Sequence, residues 1–147
     1  MIRPAFLLAA LFAVVSLPVS AADYVSVANG PAVLYDAPSV KAKKLFAVSR
    51  YMPFEQIVSL GAWVKVRDYS GSLAWIEKSA LGNQRHVLVT VPLADVRQSP
   101  DSRAPVVFQA KKQVALEWLE STGTGWIRVR QQDGVTGYVG ILDVWGD

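Results

Sequence analysis

Residues 62–76 read AWVKVRDYSGSLAWI, and residues 125–139 read GWIRVRQQDGVTGYV. Laid one over the other, Trp63 meets Trp126 and Val64 meets Ile127. Lys65-Val66-Arg67 meets Arg128-Val129-Arg130, Gly71 meets Gly134, Trp75 meets Tyr138 and Ile76 meets Val139, all at an offset of 63. Upstream the match continues at an offset of 62. Tyr35-Asp36-Ala37-Pro38 lies over Arg97-Gln98-Ser99-Pro100, Phe46 over Phe108, Phe54 over Leu116, Glu55 over Glu117 and Gly61 over Gly123. So long an ordered series is an internal repeat. The change of offset requires one extra residue in the second copy. The loop-like run Ser121-Thr122-Gly123-Thr124-Gly125 is a place where a chain can absorb one.

The pattern inside each copy is β. From Trp63 to Arg67, Val64 and Val66 fall on one face and Lys65 and Arg67 on the other, the period of two of a half-buried strand. Ser70-Gly71 and Asp133-Gly134 follow as turn residues able to take positive φ. Each turn leads into another short strand, residues 73–76 and 136–139. Residues 25–27 and 87–91 open the copies with β-branched side chains. Residues 113–120 place Val114, Leu116, Trp118 and Glu120 at period two and read as strand rather than helix. A copy of about 60 residues is near the lower limit for folding without staples. A small closed or nearly closed barrel suits it, because closure hides strand edges. The fold expected is all-β: two small barrels in tandem. Only Gly82-Asn83-Gln84 separates them, so they are expected to touch.

Composition limits the chemistry. The chain of 147 residues has no cysteine and a single histidine, His86. That removes thiol nucleophiles, disulfides and the Cys/His ligand sets of protein zinc sites. Fifteen basic against twelve acidic residues give a net charge of only +3, too weak a footprint for a nucleic-acid partner. No glycine-rich phosphate loop or calcium loop occurs, and no cofactor is implied. Glu117 and Glu120, three apart on a strand, are expected on opposite faces and so not to form an acid/base pair. No enzyme activity is expected.

The N-terminus has the three-part layout of a secretory signal. Arg3 supplies the charge, residues 5–15 the apolar run AFLLAALFAVV, and Val19 and Ala21 the small residues before a cut. Cleavage is expected after Ala21, with Ala22 a close second. The run is shorter than the roughly 20 residues of a membrane span, and Pro18 interrupts its end. No stable membrane insertion is expected after cleavage, and no cysteine follows to carry a lipid. The expected division is residues 1–21 as signal peptide, 22–83 as first barrel and 84–147 as second, in a periplasmic or secreted protein.

Each copy resembles a bacterial Src-homology-3 domain, and the pair resembles an exported tandem of them. The second copy carries Val96-Arg97-Gln98-Ser99-Pro100, Gly125-Trp126-Ile127-Arg128-Val129 and Gly134-Val135-Thr136-Gly137-Tyr138-Val139. The first departs, with Tyr35 for the arginine, Ala62 for the glycine before Trp63, and Ala74 for the second glycine. The resemblance spans nearly all of residues 24–145. It implies a binding module, associated in bacterial envelopes with peptidoglycan, but one fold hosts many functions.

The ligand-binding residues expected are Tyr35, Trp63, Arg97, Trp126 and Tyr138. Trp63 and Trp126 fall opposite the aliphatic face and would form platforms beside cations. Tyr35 and Arg97 share the repeat position that borders the family's groove, and an arginine there could pair with a carboxylate. An internal brace is the competing role for Arg97. Trp75 and its counterpart Tyr138 also have packing across the final strands as an expected role, and Trp145 is expected to pin the last segment. The lysines at 41, 43, 44, 111 and 112 read as solvated loops. The expected partner is peptidoglycan, as stem peptide or glycan; the alternative is an envelope protein bound by an adaptor. The absence of a second aromatic near Val64 or Ile127, and of a proline after Ile76 or Val139, argues against ordinary proline-helix recognition. Oligomeric state is not readable.

Overall fold

A computed structural model describes residues 22–147; the expected signal peptide lies outside the described residues. The first sheet contains β1 (Tyr24–Val27), β2 (Ala32–Tyr35), β3 (Lys44–Val48), β4 (Pro53–Leu60), β5 (Trp63–Arg67), β6 (Leu73–Glu77) and β7 (Leu81–Gly82). The second contains β8 (His86–Val89), β9 (Leu93–Arg97), β10 (Val106–Lys111), β11 (Ala115–Ser121), β12 (Trp126–Arg130), β13 (Thr136–Gly140) and β14 (Val144–Trp145). Strand order is β3-β2-β6-β5-β4-β1-β7 in one and β10-β9-β13-β12-β11-β8-β14 in the other, the same topology twice. A single 3-10 turn precedes the last strand of each, at Lys78–Ala80 and Ile141–Asp143. The all-β tandem expected from the sequence is what the chain forms.

The cores follow from period two. In β5, Val64 and Val66 are buried while Trp63, Lys65 and Arg67 stay half-buried on the outer face. In β12, Ile127 and Val129 do the same beneath Trp126, Arg128 and Arg130. Phe54 and Leu116, matched in the repeat, are each 1% exposed. Each such side chain contributes roughly 1.5–3 kcal/mol when fully buried, so two separate apolar clusters hold the two barrels without a disulfide.

The irregularities repeat as well. Register shifts fall between Gln56 and Val58 in β4 and between Trp118 and Glu120 in β11. Tyr51 (φ 73°) and Gln113 (φ 70°) both take the left-handed conformation before the strand that follows. Because both copies carry it, this strain belongs to the loop of the fold and not to a site. The extra residue lies where expected: β4 and β5 meet through Gly61 and Ala62, whereas residues 122–125 join β11 and β12.

Three expectations are corrected. Gly82 is not linker but pairs with Ser26 as part of β7, so the connection is residues 83–85. The strand opening the second copy ends at Val89, and Val91 packs on the core from a loop. Glu117 and Glu120 lie on the same face, opposite Arg130 and Arg128, because the bulge adds a residue and inverts the parity. Glu117 is still unavailable as one of a carboxylate pair, being bound to Arg130.

Candidate functional site

The outer face of β5 and the turn after β6 frame a groove on the first barrel. A cavity of about 400 Å³ is lined by Val40, Ala62, Trp63, Glu77, Lys78 and Ser79. Strand alternation sends Trp63 outward because Val64 and Val66 take the inner face. Tyr35 supports the indole edge-on, with ring centroids 5.3 Å apart at 90°. Tyr35 is itself only 8% exposed, so it backs the platform and does not form its surface. Val40 is 62% exposed at the rim. Opposite Tyr35 in the ladder stands Trp75, with the Lys65 ammonium 6.0 Å from its ring centroid. The groove thus joins an apolar floor to one carboxylate, Glu77, and one ammonium, Lys78.

The second barrel is built differently at the same positions. Arg97 donates from Nη1 to the Ala104 carbonyl at 2.8 Å and from Nη2 to Asp95 at 3.3 Å. Asp95 also accepts from Gln109 at 2.8 Å. The guanidinium therefore braces the loop between β9 and β10, the role that competed with carboxylate recognition. Tyr138 is half-buried and lies opposite Arg97 on one side and Arg128 on the other. Trp126 is half-buried at the start of β12, opposite Gly140. Where the first groove has Lys78 and Ser79, the second has Ile141, 40% exposed, and Leu142, 89% exposed. Tyr35 and Trp63 are thus brought together behind a cavity, while Arg97 and Tyr138 are brought together as ladder partners.

A second concave region, not foreseen in the sequence, lies between the barrels. His86 is 5% exposed, its backbone N–H donates to Ser26 Oγ of the first barrel at 3.1 Å, and its ring stacks on Tyr51 at 4.5 Å. Its Nδ1 lies 3.2 Å from the Gln84 carbonyl. A carbonyl can only accept, so this contact places the proton of the neutral ring on Nδ1. Burial lowers the imidazole pKa below its ordinary 6.5, with the Gln84 carbonyl and Glu117 opposing that shift. Glu117 receives two hydrogen bonds from Arg130, at 2.8 and 2.9 Å, and one from Gln84 at 2.8 Å. Those bonds hold its carboxyl at about 2, well below the usual range. Together these groups line a cleft of about 490 Å³.

At the same junction Arg85 is clamped between the barrels. Its guanidinium sits 4.2 Å from the Trp118 ring centroid and 5.6 Å from that of Tyr24, and it donates to the Gly146 carbonyl at 2.7 Å. Trp145 meets Tyr24 edge-on at 5.2 Å, so it both pins the last strand and joins the barrels. Gln113 donates to Tyr69 across the same junction at 3.2 Å. The available signal was the failure of the repeat: His86 stands over Tyr24, Arg85 over Asp23 and Trp118 over Gln56.

Comparison with known proteins gives two family matches, each described as a bacterial SH3 domain, over residues 28–82 and 92–140. A search of the curated proteins found no match. Among solved structures, the chain is similar to NlpC2 from Trichomonas vaginalis, with 11% identity, a TM-score of 0.38, and coverage of 86% of this chain and 49% of that one. It is also similar to an NlpC/P60 family protein from Bacillus cereus ATCC 10987, with 16% identity, a TM-score of 0.39, and coverage of 84% and 56%. The chain spans about half the length of these structures.

Proposed function

We propose, from the premise that this chain carries two bacterial SH3 domains in tandem, that it is a non-catalytic binding module of the cell envelope. Its address is the periplasm or the exterior, given by residues 1–21, and its target is peptidoglycan. The peptide part of that polymer is the ligand of the first barrel's groove. The observation that carries this reading is the Trp63 groove itself: an indole floor backed by Tyr35, with Val40 at the rim and Glu77 and Lys78 within the lining. A short peptide bearing small aliphatic side chains, a carboxylate and an amine matches each of these in turn. The second barrel supports the first, since its equivalent arginine is spent on the Ala104 carbonyl.

Co-sedimentation with purified sacculi tests this. The protein is expected in the pellet at moderate salt. Trp63→Ala, shown to be folded by circular dichroism, is expected to bind at least about tenfold more weakly, the scale of a lost aromatic anchor. Trp126→Ala is expected to bind nearly as well as the parent. A parent that stays in the supernatant at low and moderate salt overturns the reading.

One observation favours a second reading, an adaptor that binds an envelope protein. Ile141 and Leu142 present adjoining apolar side chains on the second barrel, Leu142 being 89% exposed. Exposed apolar groups placed together mark protein-interaction surfaces. Crosslinking in intact cells through position 142 distinguishes the readings: one dominant protein adduct supports the adaptor.

A further inference from the structure

The inter-barrel cleft is absent from the sequence-based site and differs in chemistry from the Trp63 groove. We propose that it is a second binding site, and that its ligand is an uncharged carbohydrate: the glycan of the same polymer whose peptide the first groove takes. This proposal rests on the peptidoglycan reading above and deepens it.

Four observations carry it. The first is size. About 490 Å³ lies within the roughly 300–1,000 Å³ typical of small-ligand sites. The second is charge. Glu117 and Arg130 neutralise one another through two short hydrogen bonds, and the buried imidazole beside them is neutral above its ordinary range. A charged ligand would find its counter-charge already engaged.

The third is the kind of polar group present. Gln84, Gln131 and Gln132 line the cleft. An amide offers donor and acceptor together, and so do a sugar hydroxyl and an N-acetyl group. Gln84 and Gln131 each already give one N–H, to Glu117 and Asp133, and a purely apolar ligand would leave the remaining donors and acceptors of the three amides unpaired, at a cost. Tyr51 also lines the cleft, but His86 stacks on its ring and the Arg50 guanidinium lies 4.8 Å from its centroid. The site therefore recognises through hydrogen bonds and not through an open aromatic platform. That separates it from the Trp63 groove, where the indole forms the floor.

The fourth is pre-organisation. Tyr51 comes from the first barrel, Gln84 from the connection, and Glu117, Gln131 and Gln132 from the second. The barrels that carry them are joined by the bond from His86 to Ser26 and by the Arg85 clamp between Tyr24 and Trp118. A cleft already assembled does not have to order its walls when a weakly binding sugar arrives.

The test is an NMR titration of residues 22–147 with chitotetraose, a soluble, peptide-free β-1,4-linked tetramer of N-acetylglucosamine. Amide shifts are expected to cluster at Gln84, Glu117 and Gln131-Gln132. Gln132→Ala, at an exposed position outside both cores, is expected to weaken binding about three- to tenfold, as loss of one or two hydrogen bonds would. Trp63→Ala is expected to leave the chitotetraose shifts unchanged. No shifts at millimolar sugar, or shifts gathered at Trp63, overturn the proposal. The two readings fail separately. Sacculus binding without chitotetraose binding removes the glycan site and leaves the envelope function standing. Loss of sacculus binding by the parent removes that function, whatever the sugar does.

Discussion

Gly137 shows how much one missing carbon decides. A Cβ there would lie 2.6 Å from Val96 Cγ1 and 2.9 Å from the Arg97 carbonyl oxygen. The first barrel has Ala74 at the equivalent position, and there the neighbour in the repeat is Leu34, unbranched at Cβ, in place of Val96. The departure from the family pattern at Ala74 is thus matched by a second departure beside it. Gly137→Ala is expected to destabilise the second barrel by about 1–3 kcal/mol through overpacking, read from urea denaturation. Ala74→Gly is expected to cost the first barrel about 0.5–1 kcal/mol from backbone entropy alone. At this scale the sequence was informative about which residues are buried, because strand parity is local. It was not informative about Arg97, since only the folded loop shows that the Ala104 carbonyl takes its guanidinium.

The paired strands β4–β5 and β11–β12 each carry an ion pair across the ladder, Glu55 with Arg67 and Glu117 with Arg130. The first rests on a single contact of 2.8 Å; the second is two-pronged and adds Gln84. Glu117 accordingly sits at about 2, against an ordinary 4.5. A carboxyl depressed in the folded state stabilises fully above its unfolded pKa, and that contribution is lost as pH falls toward the folded value. Denaturation midpoints are expected to decline between about pH 4.5 and 2. Glu117→Gln is expected to flatten that decline and to lower the midpoint at neutral pH. An unchanged slope in the variant would show that other carboxylates set the acid limit. The repeat revealed both pairs as matched positions, but not their unequal strength. Gln84 reaches Glu117 from the connection, which belongs to neither copy.

Across the whole molecule, the junction ties two small barrels together through side chains of both. Tyr24, Tyr51 and Ser26 of the first barrel meet Trp118 and Trp145 of the second through Arg85 and His86. Trp145→Ala is expected to loosen it, turning one unfolding transition into two and giving the barrels separate NMR tumbling times. A single transition with common tumbling would show that the remaining contacts suffice. His86 adds a pH dependence of its own. Its imidazole is held neutral by burial, so the folded state resists the proton that the unfolded state accepts. The stability tied to it is full above pH 6.5 and is lost as pH falls below that value. His86→Phe keeps an aromatic ring against Tyr51 and cannot titrate. The variant is expected to lose the drop in stability just below pH 6.5, measured by thermal melts across that range.

The repeat, the strand faces, the turns at Gly71 and Gly134 and the loop that holds the extra residue were all determined by the sequence alone. Each depends on contacts within a copy of about 60 residues, where period two and turn chemistry act locally. The tertiary structure decided what the copies do to each other. His86 and Ser26 are 60 residues apart, and Gln113 and Tyr69 are 44 apart. No local period links such residues; only the docking of one closed core against another selects them. The residues that repeat built the barrels. Those that break the repeat, Arg85, His86 and Trp118, built the junction and the cleft beside it.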